Sequence, residues 1–313
     1  MASGDPVRLA VVGAGRMGRT HLRALSGSRD VQVTGVVEPV SAVRDGLTAT
    51  GLRTYSTLDE LIEAGGVDAA LVAAPTDLHV DLVRRIAAAG LPILCEKPCG
   101  LRPEDGAEAM RAAEDAGVVL QIGYWRRFVP ELVRLREQLM GGRFGDLSLI
   151  SCWQWDAQPP APSFRRRSGG LVLDMGVHEF DQIRWLTGQE LEEVHALPAA
   201  ATSDEPVAGD PESVALLARL SAGAVATVSL GRRFPHGDCC WIELMGTADY
   251  ARSLFIWGED GIGVFHDALV AQADAFAATL RGEPQRGATG DDGLRAIEAA
   301  DRAMHSLAAV ASR

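Results

Sequence analysis

Residues 7–18 read VRLAVVGAGRMG, an aliphatic, β-branched run that breaks at Gly13, Gly15 and Gly18. That change of texture predicts a buried strand passing through a tight turn into a helix. At such a junction the G-x-G-x-x-G spacing has a physical meaning. The first glycine permits the turn, the second lets a pyrophosphate approach the backbone, and the third lets helix and strand pack closely. Free amides and partial positive charge at the helix start, here at Arg16 and Met17, attract phosphate. The stretch therefore predicts a dinucleotide-binding βαβ unit.

Working outward, the next apolar run, VQVTGVVEP, ends at Glu38. That is about 20 residues beyond the glycines, where a carboxylate accepts hydrogen bonds from ribose hydroxyls. A carboxylate there repels a 2′-phosphate, so the expected cofactor is NAD; Arg44, close by in sequence, keeps NADP as the alternative. Short apolar runs and amphipathic runs then alternate through AALVAAPT, HVDLVRRIAAAG, LPILCEKP, PEDGAEAMRAAEDAG and VVLQIGYW. Continuous apolar strands separated by helices predict an α/β Rossmann unit over residues 1–123, a doubly wound parallel sheet covered on both faces. From 124 to 313 the texture changes. LSLISCWQWDA, SVALLARLSAGAVATVSLGRRF and CWIELMGTADYARSLFIW predict a largely antiparallel open sheet in an α+β domain, followed from about Asp267 by Ala-rich helices that pack on a domain surface. A length of 313 residues suits two such domains.

A formal charge of −12 argues against nucleic acid as a partner, because phosphate backbones are held by clustered Lys and Arg. The densest basic run, Arg165-Arg166-Arg167, reads as a solvated loop or as a contact for an anionic small ligand. No apolar stretch of ~18 residues and no charged-then-apolar leader stands out, so neither a membrane span nor secretion is expected, and the expected location is the cytoplasm. Five cysteines, an odd number, do not suggest a disulfide scaffold: Cys95 and Cys99 flank a Lys-Pro turn, Cys239 and Cys240 are adjacent, and all read as buried thiols. No Cys/His cluster has zinc-site spacing, so no metal is expected.

Two further stretches carry candidate chemistry. Glu96-Lys97-Pro98 falls at the carboxyl end of a parallel strand, the edge at which doubly wound sheets bind ligands. Lys97 there could hydrogen-bond a substrate hydroxyl and stabilise a developing alkoxide. GLVLDMGVHEFDQIRWL, residues 170–186, reads as a helix with Asp174, His178, Asp181 and Trp185 on one stripe and Phe180, Ile183 and Leu186 on another. The apolar stripe is core. The polar stripe is either a solvated face or a place for proton transfer, since imidazole is the side chain that changes charge near neutral pH.

Taken in order, GAGRMG, APTDLH, the Gly-to-EKP run, GYWRRF, SGGLVLDMGVHEFDQIRWLTG and DGLRAIEAA make the chain resemble the Gfo/Idh/MocA family of nicotinamide-dependent sugar and polyol oxidoreductases. GYWRRF and the DMGVHEFD helix are most similar to its inositol 2-dehydrogenase branch. The resemblance implies that Lys97 contacts the reacting hydroxyl, that the Lys97-Pro98 peptide is cis, and that Asp174 and His178 form the D-x-x-x-H pair with the histidine as general base. It implies cofactor contacts at Ala74, Thr76 and His79 of APTDLH and at Glu96 and Lys97. It places Arg126 among the substrate contacts, with Trp125 where the branch motif F-M-R-R has Met, and Asp156 near a polar substrate contact of the branch. His236 is a further candidate, and Asp181 is at most a supporting group. Trp125, Trp153 and Trp155 make the expected pocket more aromatic than an inositol requires, and indole faces suit the C–H face of a pyranose. The resemblance also implies a homodimer or homotetramer formed through the open sheet.

The reaction these readings imply is NAD-dependent oxidation of a secondary hydroxyl of a cyclic polyol or sugar. His178 takes the proton, Asp174 orients the imidazole and Lys97 holds the oxygen. One alternative is a ketosugar reductase that uses the same residues with hydride running from NAD(P)H. Another is a non-catalytic dinucleotide-binding regulator, against which intact Lys97, Asp174 and His178 argue.

Overall fold

The computed structural model describes residues 5–199, 207 and 209–311. The chain divides into two compact units. The first holds the described residues up to Gly100, Glu104–Tyr124 and His266–Leu294; the second holds Leu101–Pro103, Trp125–Phe265 and the described residues from Arg295 on. The boundary after Tyr124 lies one residue from the expected one, but 266–294 departs from the expected 124–313 domain. The reason is packing: Ala273, Phe276 and Ala277 are fully buried among Val7, Leu9, Val11 and Leu71 of the first unit. These Ala-rich residues fill a core rather than cover a surface.

In the first unit the elements are β1 (Val7–Val12), α1 (Arg16–Leu25), β2 (Val31–Val37), α2 (Ser41–Thr48), β3 (Thr54–Tyr55), α3 (Leu58–Ala64), β4 (Ala69–Val72), α4 (His79–Ala88), β5 (Ile93–Cys95), α5 (Pro103–Asp115) and β6 (Leu120–Ile122). The strands stand in the order β3-β2-β1-β4-β5-β6, all parallel. This is the doubly wound order whose reversal between β1 and β4 opens a crevice at the carboxyl edge. β4 is buried at every position, as a strand covered on both faces must be.

In the second unit the elements are α6 (Pro130–Met140), β7 (Leu147–Trp155), α7 (Pro162–Arg165), α8 (Val177–Thr187), β8 (Leu191–Pro198), β9 (Ser213–Leu220), β10 (Val225–Gly231), β11 (Cys239–Gly246) and β12 (Tyr250–Trp257). Helices α9 (Gly261–Leu280) and α10 (Gly290–Ala311) follow. The sheet runs β12-β11-β7-β10-β9-β8; only β7 and β10 pair in parallel. Period-two alternation sorts its side chains. Ile150, Cys152, Ala226, Val228, Ile242 and Leu244 are buried on one face, while Leu217, Met245 and Leu254 are exposed on the other.

Trp153 and Trp155 belong to the more open face. Trp153 stacks on Trp241 with ring centroids 5.0 Å apart, and Trp155 donates its indole N–H to Ser229 Oγ at 3.0 Å. The Trp155 ring lies flat on Gly231, where a Cβ would overlap it. Gly231→Ala should therefore displace the ring and cost about 1–3 kcal/mol, the usual range for overpacking. Urea unfolding followed by tryptophan fluorescence measures this, and an unchanged midpoint would show that the glycine is not needed for the ring.

Candidate active site

The glycine loop has the shape its sequence predicts. Gly13 has φ +96°, and a Cβ on it would lie 2.8 Å from the Ala74 backbone. A Cβ on Gly18 would overlap the Gly13 carbonyl, whereas one on Gly15 would meet nothing within 4 Å. The open approach is thus at the middle glycine. It also caps α1 without a side-chain cap hydrogen bond, and the helix starts at Arg16 and Met17, whose amides belong to its unpaired first turn. These groups fit a pyrophosphate.

Glu38 closes β2. Its Oε2 accepts from the Ala14 N–H at 2.9 Å and its Oε1 from the Val40 N–H at 2.9 Å. The carboxylate is thereby held beside the glycine loop, where ribose hydroxyls are expected. Arg44 Nη1 donates to the backbone carbonyls of Glu38, at 2.7 Å, and Pro39, at 2.8 Å. That guanidinium serves the chain itself, which favours NAD over NADP.

After β5 the chain turns through Glu96-Lys97-Pro98 with the expected cis Lys97-Pro98 bond. All thirty cationic side chains but one are arginines; Lys97 is the sole lysine of the chain. Glu96, buried, accepts from His21 Nε2 at 2.6 Å and from the Lys97 N–H at 3.2 Å. Burial alone would raise its carboxyl above the ordinary value; the bond and charge of His21, then Lys97 and His79, outweigh it and hold it below. His79 is 1% exposed, with Nδ1 2.7 Å from the Pro98 carbonyl and Nε2 2.8 Å from the Ala74 carbonyl. Burial holds its imidazole below the ordinary value, against the two carbonyls, which favour the charged form. Of the expected cofactor contacts, His79 has both ring nitrogens against carbonyls inside the unit, and both Glu96 oxygens have partners there. Thr76 opens the single 3₁₀ turn, Thr76–Leu78, that leads into α4.

In the second unit the stretch read as one continuous helix has two parts. Val172–Gly176 forms one turn of π-helix, with Asp174 in it, and α8 starts at Val177 and carries His178. Wide turns of this kind recur at functional sites. His178 is buried, with Trp125 edge-on at 6.2 Å between ring centroids. Of the polar stripe, His178 and Asp181 are buried while Asp174 and Trp185 are partly exposed, and the neighbouring Glu179 and Gln182 are buried as well.

Those groups are held by GYWRRF. Arg126 Nη1 donates to Glu179 Oε1 at 2.5 Å and to Gln182 Oε1 at 3.3 Å; Nη2 donates to Gln154 Oε1 at 2.8 Å. Arg127 grips Asp181 with two bonds, Nε to Oδ2 at 3.0 Å and Nη2 to Oδ1 at 2.5 Å. Arg126, expected to touch substrate, is 2% exposed and bonded to α8 and β7. Trp155, also expected there, is on the other face of the sheet. Gln154 reaches the Arg126 side of the sheet, so its neighbour Trp155 points to the opposite face, away from Trp125. Asp156, one residue on, follows the parity of Gln154; burial pushes the nearby Cys240 thiol well up against the pull of Arg126, and the charges of Glu179 and Asp156 add to the rise. His236 is exposed and stacks on Trp257, with centroids 6.2 Å apart.

The Arg165–Arg167 run is not simply a solvated loop. Arg165 is 3% exposed and binds Asp210, Nε to Oδ2 at 2.7 Å, and Arg232 reaches the same oxygen. Nothing local in the sequence signals this group, because Asp210 lies 45 residues from Arg165. Among the described residues, no cluster of three His, Cys, Asp or Glu side chains could hold a metal, and no helix is long and apolar enough to cross a membrane.

Comparison with known proteins agrees with this geometry. The model for an oxidoreductase family with an NAD-binding Rossmann fold matches residues 7–124, and that for a GFO/IDH/MocA C-terminal domain matches 132–261. The chain is 50% identical over 300 residues to the rhizopine catabolism protein MocA of Rhizobium meliloti, covering 96% of this chain and 95% of that one. It is 32% identical over 321 residues to an inositol 2-dehydrogenase of Rhizobium meliloti strain 1021, covering 96% and 97%. Among solved structures, scyllo-inositol dehydrogenase from Lactobacillus casei with bound NAD(H) and scyllo-inositol superposes with a TM-score of 0.86 at 25% identity, covering 97% of this chain and 98% of that one.

The sign of the Glu96 shift sets a pH window. A carboxyl held below its ordinary value contributes stability that is complete above the ordinary carboxylate range and is lost as pH falls through the lowered value. Glu96→Gln should cost about 3–5 kcal/mol at neutral pH, the range for breaking a buried charged pair. Denaturation across acid pH should show the gap to the native chain closing as pH drops; a gap that widens would reverse the assignment.

Proposed function

The chain belongs to the Gfo/Idh/MocA oxidoreductase family, and from that premise we propose that it oxidises a secondary hydroxyl of an inositol-like or pyranose ring, with His178 as general base. At the coarser level it is an NAD-binding oxidoreductase of the inositol dehydrogenase type, acting on CH–OH groups. The observation that carries the finer reading is the position of the one lysine, at the carboxyl edge of a dinucleotide-binding sheet. An ammonium there suits a hydroxyl oxygen that gains negative charge as its carbon loses hydride.

NAD, when bound, supplies the hydride acceptor. Gly13, Gly15 and Gly18 with the start of α1 hold its pyrophosphate, and Glu38 its ribose. Lys97 orients the reacting hydroxyl. His178 takes the proton, and Asp174, on the π turn one step earlier in the chain, sets the imidazole and favours its charged form. Trp125 beside His178 offers an aromatic edge to the ring of the substrate, and Asp156 a polar contact. The relative named for rhizopine catabolism is more similar in sequence than the inositol 2-dehydrogenase, so rhizopines belong in the substrate panel beside inositols, hexoses and pentoses.

His178→Ala should lower turnover of the accepted polyol by about 10²–10⁴, the usual worth of a general base, and leave NAD affinity intact. Steady-state kinetics with fluorescence titration of NAD decides this. Unchanged turnover removes the histidine from the reaction, and failure of every polyol and sugar to reduce NAD removes the reading itself.

Assembly through the outer face of the second sheet completes the proposal. Leu217, Met245 and Leu254 are exposed there beside the Trp153–Trp241 stack, an apolar face suited to a second copy. Sedimentation should give a homodimer or homotetramer, and Leu217→Asp with Leu254→Asp should shift it towards monomer. A monomeric native chain would exclude this arrangement.

A further inference from the structure

The turn that carries Lys97 leaves the sheet at its carboxyl edge. Glu96 still makes a ladder bond, its N–H donating to the Val72 carbonyl at 2.9 Å. Pro98 has no N–H, so its backbone can be tied only through its carbonyl. His79 Nδ1 lies 2.7 Å from that carbonyl and Nε2 lies 2.8 Å from the Ala74 carbonyl; the neutral ring donates to one of the two and the charged ring to both. Ala74 stands just past β4, against the Gly13 turn. One enclosed imidazole thus brackets two strand exits: that of β4, which borders the glycine loop, and that of β5, which bears the lysine.

We propose that His79 is a positioning residue for Lys97, fixing the Glu96-Lys97-Pro98 turn relative to the β4 exit so that the ε-amine meets the reacting hydroxyl. The proposal rests on the reading of Lys97 as the group that holds that hydroxyl. It gives His79 a role other than the expected cofactor contact, since both ring nitrogens face main-chain carbonyls. Three features of the chain support a bracket over a mere core side chain. The imidazole is 1% exposed yet spends both nitrogens on main-chain oxygens rather than on packing. Glu96 on the other side of Lys97 is itself fastened, by His21 at 2.6 Å. The lysine between these two ties is the only ε-amine the chain has.

That last fact supplies a readout independent of catalysis. Reductive methylation with ¹³C-formaldehyde places a dimethylamine label on Lys97 alone among side chains, the α-amino group being separable by its own resonance. His79→Leu removes both bonds at similar volume, and His79→Asn keeps a donor but is too short to span both carbonyls. In either variant the dimethyl-Lys97 resonance should move from its native position. With unlabelled enzyme, kcat for the accepted polyol should fall by about 10²-fold, the scale of a 1 Å misplacement, while the Kd for NAD stays at its native value. In a Lys97→Ala background, adding either His79 substitution should lower kcat little further, since the two residues act as one unit.

A folded variant whose lysine resonance keeps the native position overturns the proposal. So does a variant that weakens NAD binding as much as it lowers kcat, which would return His79 to the cofactor site. If His79→Leu does not fold, His79→Asn decides by the same two measurements. If the native chain oxidises no polyol, the reading of its function falls, while the resonance comparison still judges the bracket by itself.

Discussion

The buried charge of Arg126 is the constraint on which the second unit is built. A guanidinium removed from water is costly unless its partners are close and its donors are used, and here Glu179, Gln182 and Gln154 take three of them. Burial by itself would weaken the charge; Glu179 more than offsets it, so the side chain stays firmly protonated. Glu179 and Gln182 lie three apart on α8, and Asp181 between them is gripped by Arg127. A helix held at three such positions cannot rotate about its axis. His178, adjacent to the first of them, therefore has its direction set through α8 by these ion pairs.

Such a pair is weak evidence for stability and better evidence for specificity. Two arginines and two carboxylates replaced by apolar side chains could pack as well, but an apolar seam tolerates rotation and slippage that this arrangement does not. The polar stripe of α8 is accordingly neither a solvated face nor, as a whole, reactive. Asp181 and Glu179 are taken up by the arginines, which leaves His178 and Asp174 as the pair to which the proposed proton transfer is assigned. The π turn at Val172–Gly176 separates those two from a regular α-helical offset, so Asp174 stands on a wider turn than a four-residue spacing on an α-helix would give.

Much of the first unit was legible because its signals are local. A strand, three glycines, a helix start and Glu38 lie within one βαβ unit, and each residue type follows from the turn or the phosphate it serves. The second unit was legible in kind but not in its contacts. Arg126 and Glu179 are 53 residues apart, and nothing near GYWRRF says that its arginines face inward. The fate of Trp155 lay half in view: alternation puts it opposite Gln154, but only the position of α8 tells which of the two faces is packed. The helix after Gly261 misled for a different reason, since alanines suit both a helix surface and a close-packed core, and here Phe276 among them decides for the core.

His79 and Glu96, near Lys97, show how a motif can mark a place without revealing what its side chains touch. APTDLH and EKP mark loops at the carboxyl edge of the sheet, where a cofactor is expected, so His79 and Glu96 read as contacts. Both are buried, and their polar atoms have partners inside the unit, at Ala74 and Pro98 for His79 and at His21 for Glu96. A loop that must present one amine at a defined place has few ways to be rigid, because its amides have run out of strand partners and proline contributes none. Imidazole, with a polar atom at each end of a flat ring, spans two carbonyls that no aliphatic side chain could join.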